Sequence, residues 1–305
     1  MQEALPRLEQ AEDHAGLVHA WNALTLGVAN WRMHYEDYAH AAENALRHAR
    51  LAGQRRSDLF KLDRALVYGP QPADDALRMI DALLPEHPHP SLLVSRAWLL
   101  TMLGRFDEGS RLASEAGARW RDLSGDDDAA FFLGHIAATL GDDENAAVHW
   151  RRSCDMAETG ALSGFLQTFA PLLGRSLCAL GRHDEAEPLA QLGRTLDPTA
   201  QDVYTQALWR QVQALVHASR GQHDEAEELA REAVAIIGRG DALNFQGAAL
   251  RDLAEVLQAA GRSNEAAATL AQALERYERK KNVSMATQAR HRLAELEVRE
   301  RSGAE

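Results

Sequence analysis

One short phrase recurs along this chain at a fixed interval. It reads Gly181-Arg182-His183-Asp184-Glu185-Ala186-Glu187, then Gly221-Gln222-His223-Asp224-Glu225-Ala226-Glu227, then Gly261-Arg262-Ser263-Asn264-Glu265-Ala266-Ala267, with the leading glycines 40 residues apart. Looser copies start at Gly104 and Gly141, 37 and 40 residues before the next one. A period of this size marks stacked supersecondary units, because each unit can bury its apolar face only against its neighbours. The chain is therefore expected to form a solenoid.

Between the glycine phrases the apolar residues recur at helical spacing, as in Leu250, Leu253 and Leu257 before Gly261 and Ala266, Leu270, Ala273 and Tyr277 after it. Each unit reads as helix, turn, helix. The glycine supplies a positive φ that closes the first helix. Asp or Asn three residues later is expected to cap the second, with the adjacent Glu near its positive end. Ala146, Ala186, Ala226 and Ala266 fall five residues past their glycines, where a small side chain lets the paired helices approach; Gly109 takes that place in the copy begun by Gly104. The reading extends to about seven pairs, beginning with 17–31 against 35–51 and 55–68 against 73–84, and leaves a final helix over 283–300 as a cap. Residues 1–84 read as divergent amino-terminal repeats, 85–281 as the regular array, and 282–305 as the capping helix and a frayed tail. The proline-rich run Pro85-Glu86-His87-Pro88-His89-Pro90 is the candidate bend between the first two parts.

Composition narrows the functional classes. Aromatics are only 6% against 46% hydrophobic residues, so Ala and Leu must build most of the interior. The formal charge of −12 argues against a general nucleic-acid binder, which needs a concentrated basic surface. No apolar run approaches the roughly 18 residues of a membrane span, and a cytoplasmic location is expected. Cys154 and Cys178, without a CxxC, read as reduced, semi-buried thiols. His87 and His89 share a turn but have no third ligand near in sequence, and His183 and His223 are equivalent by repetition rather than neighbours. His14, His19 and His34 form no HExxH, the acidic runs at 126–128 and 142–144 lack calcium-loop spacing, and no Gly-x-Ser-x-Gly elbow occurs. No catalytic residue, metal or cofactor is expected.

Leu173-Gly174, Leu177, Gly181, Asp184-Glu185-Ala186, Ala190 and Asp197-Pro198 together resemble the tetratricopeptide repeat, and Leu253-Ala254, Leu257, Gly261, Ala266 and Ala273-Leu274 form a second good match. The resemblance implies an all-α, right-handed superhelical solenoid of about seven antiparallel helix pairs. With a period near 40 rather than the family's 34, its helices are about a turn longer. Segments such as 45–53, 206–210 and 274–280 also look like the carboxy-terminal helical region of large bacterial proteins that join a cyclase or transcriptional activator domain to a P-loop ATPase. The chain has no Gly-x-x-x-x-Gly-Lys-Ser/Thr, so nucleotide binding does not carry over.

In the family the first helix of each pair lines a concave groove. Carried onto this chain, the resemblance implies Ser95, Trp98, Phe132, His135, Arg175, Gln211, Arg251 and Glu255 as groove residues. Trp98 and Phe132 are aromatic anchors in that view, or else core; Arg175 and Arg251 grip a carboxylate or phosphate, or else pair internally. The expected function is a protein- or peptide-binding scaffold or regulatory module of a bacterial signalling protein, acting on proteins or on domains of the same full-length chain. A structural spacer or homodimerisation arm and a small-effector sensor are the alternatives, with a helical enzyme last.

Overall fold

The computed structural model describes residues 4–25, 31–54, 60–84, 89–124, 129–159 and 163–303. Among them every regular element is helical. A short α1 (Leu5–Gln10) leads into seven antiparallel pairs: α2 (His14–Leu24) with α3 (Tyr35–Leu51), α4 (Phe60–Tyr68) with α5 (Ala73–Leu83), α6 (Pro90–Met102) with α7 (Phe106–Ser124), α8 (Ala130–Leu140) with α9 (Asp143–Thr159), α10 (Leu166–Ala179) with α11 (His183–Leu196), α12 (Val203–Ser219) with α13 (His223–Ile237), and α14 (Leu243–Ala259) with α15 (Ser263–Lys280). The last helix, α16 (Val283–Gly303), packs on α15 and buries Ala286, Ala289 and Leu296. The seven expected pairs and the capping helix are all present. The proposed bend at 85–90 lies mostly outside the described residues.

The turn chemistry follows the glycine phrase. Gly104, Gly141, Gly181, Gly221 and Gly261 all have φ between 74° and 78°, a left-handed conformation that costs an ordinary L-residue energy. The alanines five residues on, Ala146, Ala186, Ala226 and Ala266, are fully buried. Gly109 does more than fit: a Cβ there would lie 2.5 Å from Thr101 Oγ1.

The predicted caps need correction. Helices α11, α13 and α15 begin two residues earlier than expected, so Arg182, Gln222 and Arg262 hold the cap position without a side-chain cap bond. Asp184, Asp224 and Asn264 lie inside the first turn. The two aspartates act there through the helix dipole. In three copies the arginine after the glycine forks onto the glutamate three residues later: Arg105 on Glu108, Arg182 on Glu185 and Arg262 on Glu265. Among the described residues of the five glycine-led turns, only Asp142, before α9, accepts from a backbone N–H of the new helix, that of Asn145, at 3.1 Å.

The solenoid curls until its two ends touch. Asp241, in the α13–α14 turn, accepts from the backbone N–H groups of Tyr35 (2.8 Å) and Glu36 (2.9 Å), capping α3 from more than 200 residues away. Its own N–H donates to Met33 O, and a Cβ on Gly240 would lie 2.6 Å from that same oxygen, so glycine allows the approach. Lys280, fully buried at the end of α15, donates to the carbonyls of Leu66 (3.0 Å) in the last turn of α4 and of Gly69 (2.7 Å) and Gln71 (2.7 Å) in the α4–α5 connection. Burial draws its pKa down to about 7, while three carbonyl acceptors use all three ammonium protons and favour the charged form. Lys281 pairs with Asp74 at 2.6 Å, and Ser284 and Gln288 of α16 donate to Thr139 O at the end of α8. One of the two apolar clusters accordingly runs from Met33 to Ala249.

Candidate functional site

The curl sends the inner faces of α4, α6 and α8 against those of α12 and α14. Tyr68, near the end of α4, meets Phe245 of α14 (5.4 Å between centroids), and Tyr204 of α12 stacks on Phe245 at 4.3 Å. His135 of α8 stacks on Trp98 of α6 at 4.5 Å and stands edge-on to Trp150 and Phe131 at 4.8 Å each. These aromatics fill the middle of the superhelix, leaving a chamber on each side.

The first chamber is the more polar of the two. Trp98, His135, Arg175, Gln211 and Arg251 line it together, with Asp143, Tyr204 and Tyr277. Arg175 of α10 forks onto Asp252 of α14 at 2.6 and 2.8 Å, and Gln211 of α12 donates to the same carboxylate at 2.8 Å. Burial alone would raise the Asp252 pKa; the Arg175 guanidinium overrides it and holds the group below the ordinary carboxylate value. Arg251 lies at the side, 3.7 Å from Asp252 Oδ1. Burial drives the His135 imidazole down to about 3, so the ring is neutral near pH 7, with Nε2 buried and unpartnered among the described residues. A chamber whose strongest cation is already neutralised by its own carboxylate is built for shape and hydrogen bonding, not for capturing an anion at Arg175.

The second chamber is larger, about 230 Å³, and mainly aromatic. Tyr35, Tyr68, Trp120, Phe131, Phe132, Phe165, Phe169, Tyr204 and Phe245 form its walls, with Arg64, Thr168 and Asp202 as polar members. Asp202 caps α12, accepting from the N–H groups of Tyr204 (3.0 Å) and Thr205 (3.2 Å) and from Thr205 Oγ1 (2.9 Å). Sequence reasoning missed this chamber, because its members come from seven separate helices and the short Ser163–Phe165 turn, and no spacing links them.

The groove residues inferred from sequence divide accordingly. Five of the eight meet in the first chamber, Phe132 lies in the second, and Ser95 and Glu255 line neither. Ser95 is buried, its hydroxyl donating to Asp63 at 2.9 Å. Glu255 is exposed, one turn beyond Arg251. Trp98 and Phe132 are each 3% exposed, so neither projects as a free anchor; the Trp98 indole N–H is spent on Thr139 at 2.9 Å. Both thiols are buried, which pushes each up to about 12. His87 lies outside the described residues, and His89 accepts the Ser91 N–H at the start of α6. Among the described residues no three His, Cys, Asp or Glu side chains are placed to hold a metal, and no helix is long and apolar enough to cross a membrane.

The comparison with known families bears on the part of the chain where the phrase is most regular. Residues 204–279 match the tetratricopeptide repeat family. No curated protein matches the chain. Among solved structures, a chain of the APC/C hetero-tetramer Cut9–Hcn1 superposes with a TM-score of 0.59 at 14% identity, covering 87% of this chain and 50% of that one. The present chain thus spans half the length of that relative. A tetratricopeptide repeat protein from Parabacteroides merdae is similar over 88% of this chain and 92% of its own, at 15% identity and a TM-score of 0.43. The repeat match over 204–279 gives the fold as tetratricopeptide-like, and the Cut9–Hcn1 likeness adds a similarity of fold and nothing finer.

Proposed function

We propose that the protein is a tetratricopeptide-type interaction module that binds rather than catalyses, and that it senses a small effector through its interior. The observation that carries this reading is the closure of the superhelix. Groove positions that would meet an extended peptide in an open array are committed to contacts with other helices, Trp98 with His135 of the adjacent α8 and Arg175 with Asp252 two repeats on. The remaining space is chamber-sized, suited to a small molecule or a single inserted side chain. Occupancy would reach other proteins through the rigid body, because the chambers are walled by helices from both ends of the array. Likeness to multidomain signalling proteins supports placing such a module at their sensory end, with the partner a protein or domains of the same full-length chain.

Parallel screens of the intact chain test this. A small-molecule library read by native mass spectrometry should yield retained ligands that shield residues of α8, α12 and α14 from hydrogen exchange. A peptide library that yields ligands protecting only exposed helix faces, beside an unproductive small-molecule screen, would refute it and favour a surface scaffold.

A further inference from the structure

We infer that the aromatic chamber is a site for an aromatic monocarboxylate, its ring held between aromatic walls and its carboxylate taken by Arg64. This deepens the interior-binding reading and rests on it. Arg64 extends from α4 and lines the chamber, its guanidinium carbon 5.8 Å from the centre of the Phe132 ring. Among the described residues no acceptor is hydrogen-bonded to its guanidinium, although a guanidinium carries five N–H donors. Its neighbour Asp63 does not supply one: Oδ1 accepts the Arg64 backbone N–H and Oδ2 accepts the Ser95 hydroxyl. The Tyr68 hydroxyl, one helical turn along on the same chamber wall, is buried and also without a partner.

The other charged group in the chamber has no such demand. Both Asp202 oxygens already accept from Tyr204, Thr205 and Thr168, so the unmet polar capacity favours an anion and not an amine. Contrast with the first chamber sharpens the point, since Arg175 there is neutralised by Asp252. A planar carboxylate matches the guanidinium fork with two parallel hydrogen bonds, stronger in an apolar setting than in water. Size sets the rest: an apolar cavity of about 150 Å³ accommodates benzene, so 230 Å³ suits about nine or ten non-hydrogen atoms, one ring with a short acid side chain.

The test uses the full chain and three probes of nearly one shape: phenylacetate, its neutral amide and benzylamine, titrated by calorimetry. Phenylacetate should bind at least ten-fold more tightly than the amide, and benzylamine more weakly than either. Arg64→Gln should weaken phenylacetate at least ten-fold and the amide by much less, so that the preference for the acid disappears, with circular dichroism confirming the fold. Should that variant misfold, the three-probe comparison on the unmodified chain still decides. Equal affinity for all three would overturn the assignment to Arg64 while leaving a chamber that accepts rings. Failure of all three to bind would overturn the site itself, without bearing on ligands of the polar chamber.

Discussion

Replacing Lys280 with Met isolates the contact that fastens the end of the array to its beginning. Methionine keeps most of the buried aliphatic length and removes three donors, leaving the carbonyls of Leu66, Gly69 and Gln71 without the ammonium. Each buried acceptor so orphaned costs about 1–3 kcal/mol. Removing a charge from a dry site returns part of its desolvation cost, and solvent will reach the Gln71 carbonyl first, so the net loss should be about 3–5 kcal/mol. Urea denaturation of Lys280→Met against the parent chain gives the magnitude. Hydrogen exchange gives the location, with lost protection expected over α4 and α5 before the middle repeats. A change below about 0.5 kcal/mol, or protection lost uniformly, would show that apolar contacts alone close the ring.

Other consequences are independent of that lock. Asp241→Ala removes the long-range cap of α3 and should lower stability by about 1–2 kcal/mol, seen in the denaturation midpoint; an unchanged midpoint would mean water caps α3 equally well. Ala226→Leu places three extra carbons at a fully buried helix–helix contact and should cost about 1–3 kcal/mol by the same measurement, whereas a neutral result would mean that the α12–α13 pair can spread. Burial raises the Asp63 carboxyl to about 7, well above its value of roughly 3.9 in an unfolded chain. The folded state then binds the extra proton, so this group's contribution is complete below pH 4 and is lost as pH rises toward 7. Stability–pH curves of the parent and Asp63→Asn should diverge in that window and run parallel above it; parallel curves throughout would contradict the assignment.

The phrase led by Gly181, Gly221 and Gly261 carried the fold, because a left-handed residue followed by a buried small one encodes both the turn and the closeness of the helices it joins. That is local information, readable within seven residues. The caps differ for a local reason too: a helix starting two residues earlier places Asp184 in the first turn, where the arginine–glutamate fork of Gly-Arg-x-x-Glu takes over. What no local pattern contains is the curvature. Lys280 looks like one more charge in Arg279-Lys280-Lys281, and only the approach of a loop some 210 residues earlier buries it. Arg175, Gln211 and Arg251 do line one chamber together, yet the pairing of Arg175 with Asp252 is not legible in the sequence. Trp98 is packed between its neighbours α4 and α8 and Arg175 is paired with Asp252 two repeats on, so neither is presented to a partner. Arg64 went unnoticed for the same reason, since its significance lies in rings contributed by distant helices.

The closure of the superhelix is tested most directly by zero-length carbodiimide cross-linking of the dilute protein, followed by peptide mass spectrometry. Lys281 and Asp74 are 207 residues apart in sequence and in contact at 2.6 Å, both partly exposed, so an intramolecular amide between them is the expected product. Recovery of Lys281 joined only to carboxylates of its own neighbourhood, such as Glu278, with no link to Asp74, would mean that the array is open and that the chambers do not form.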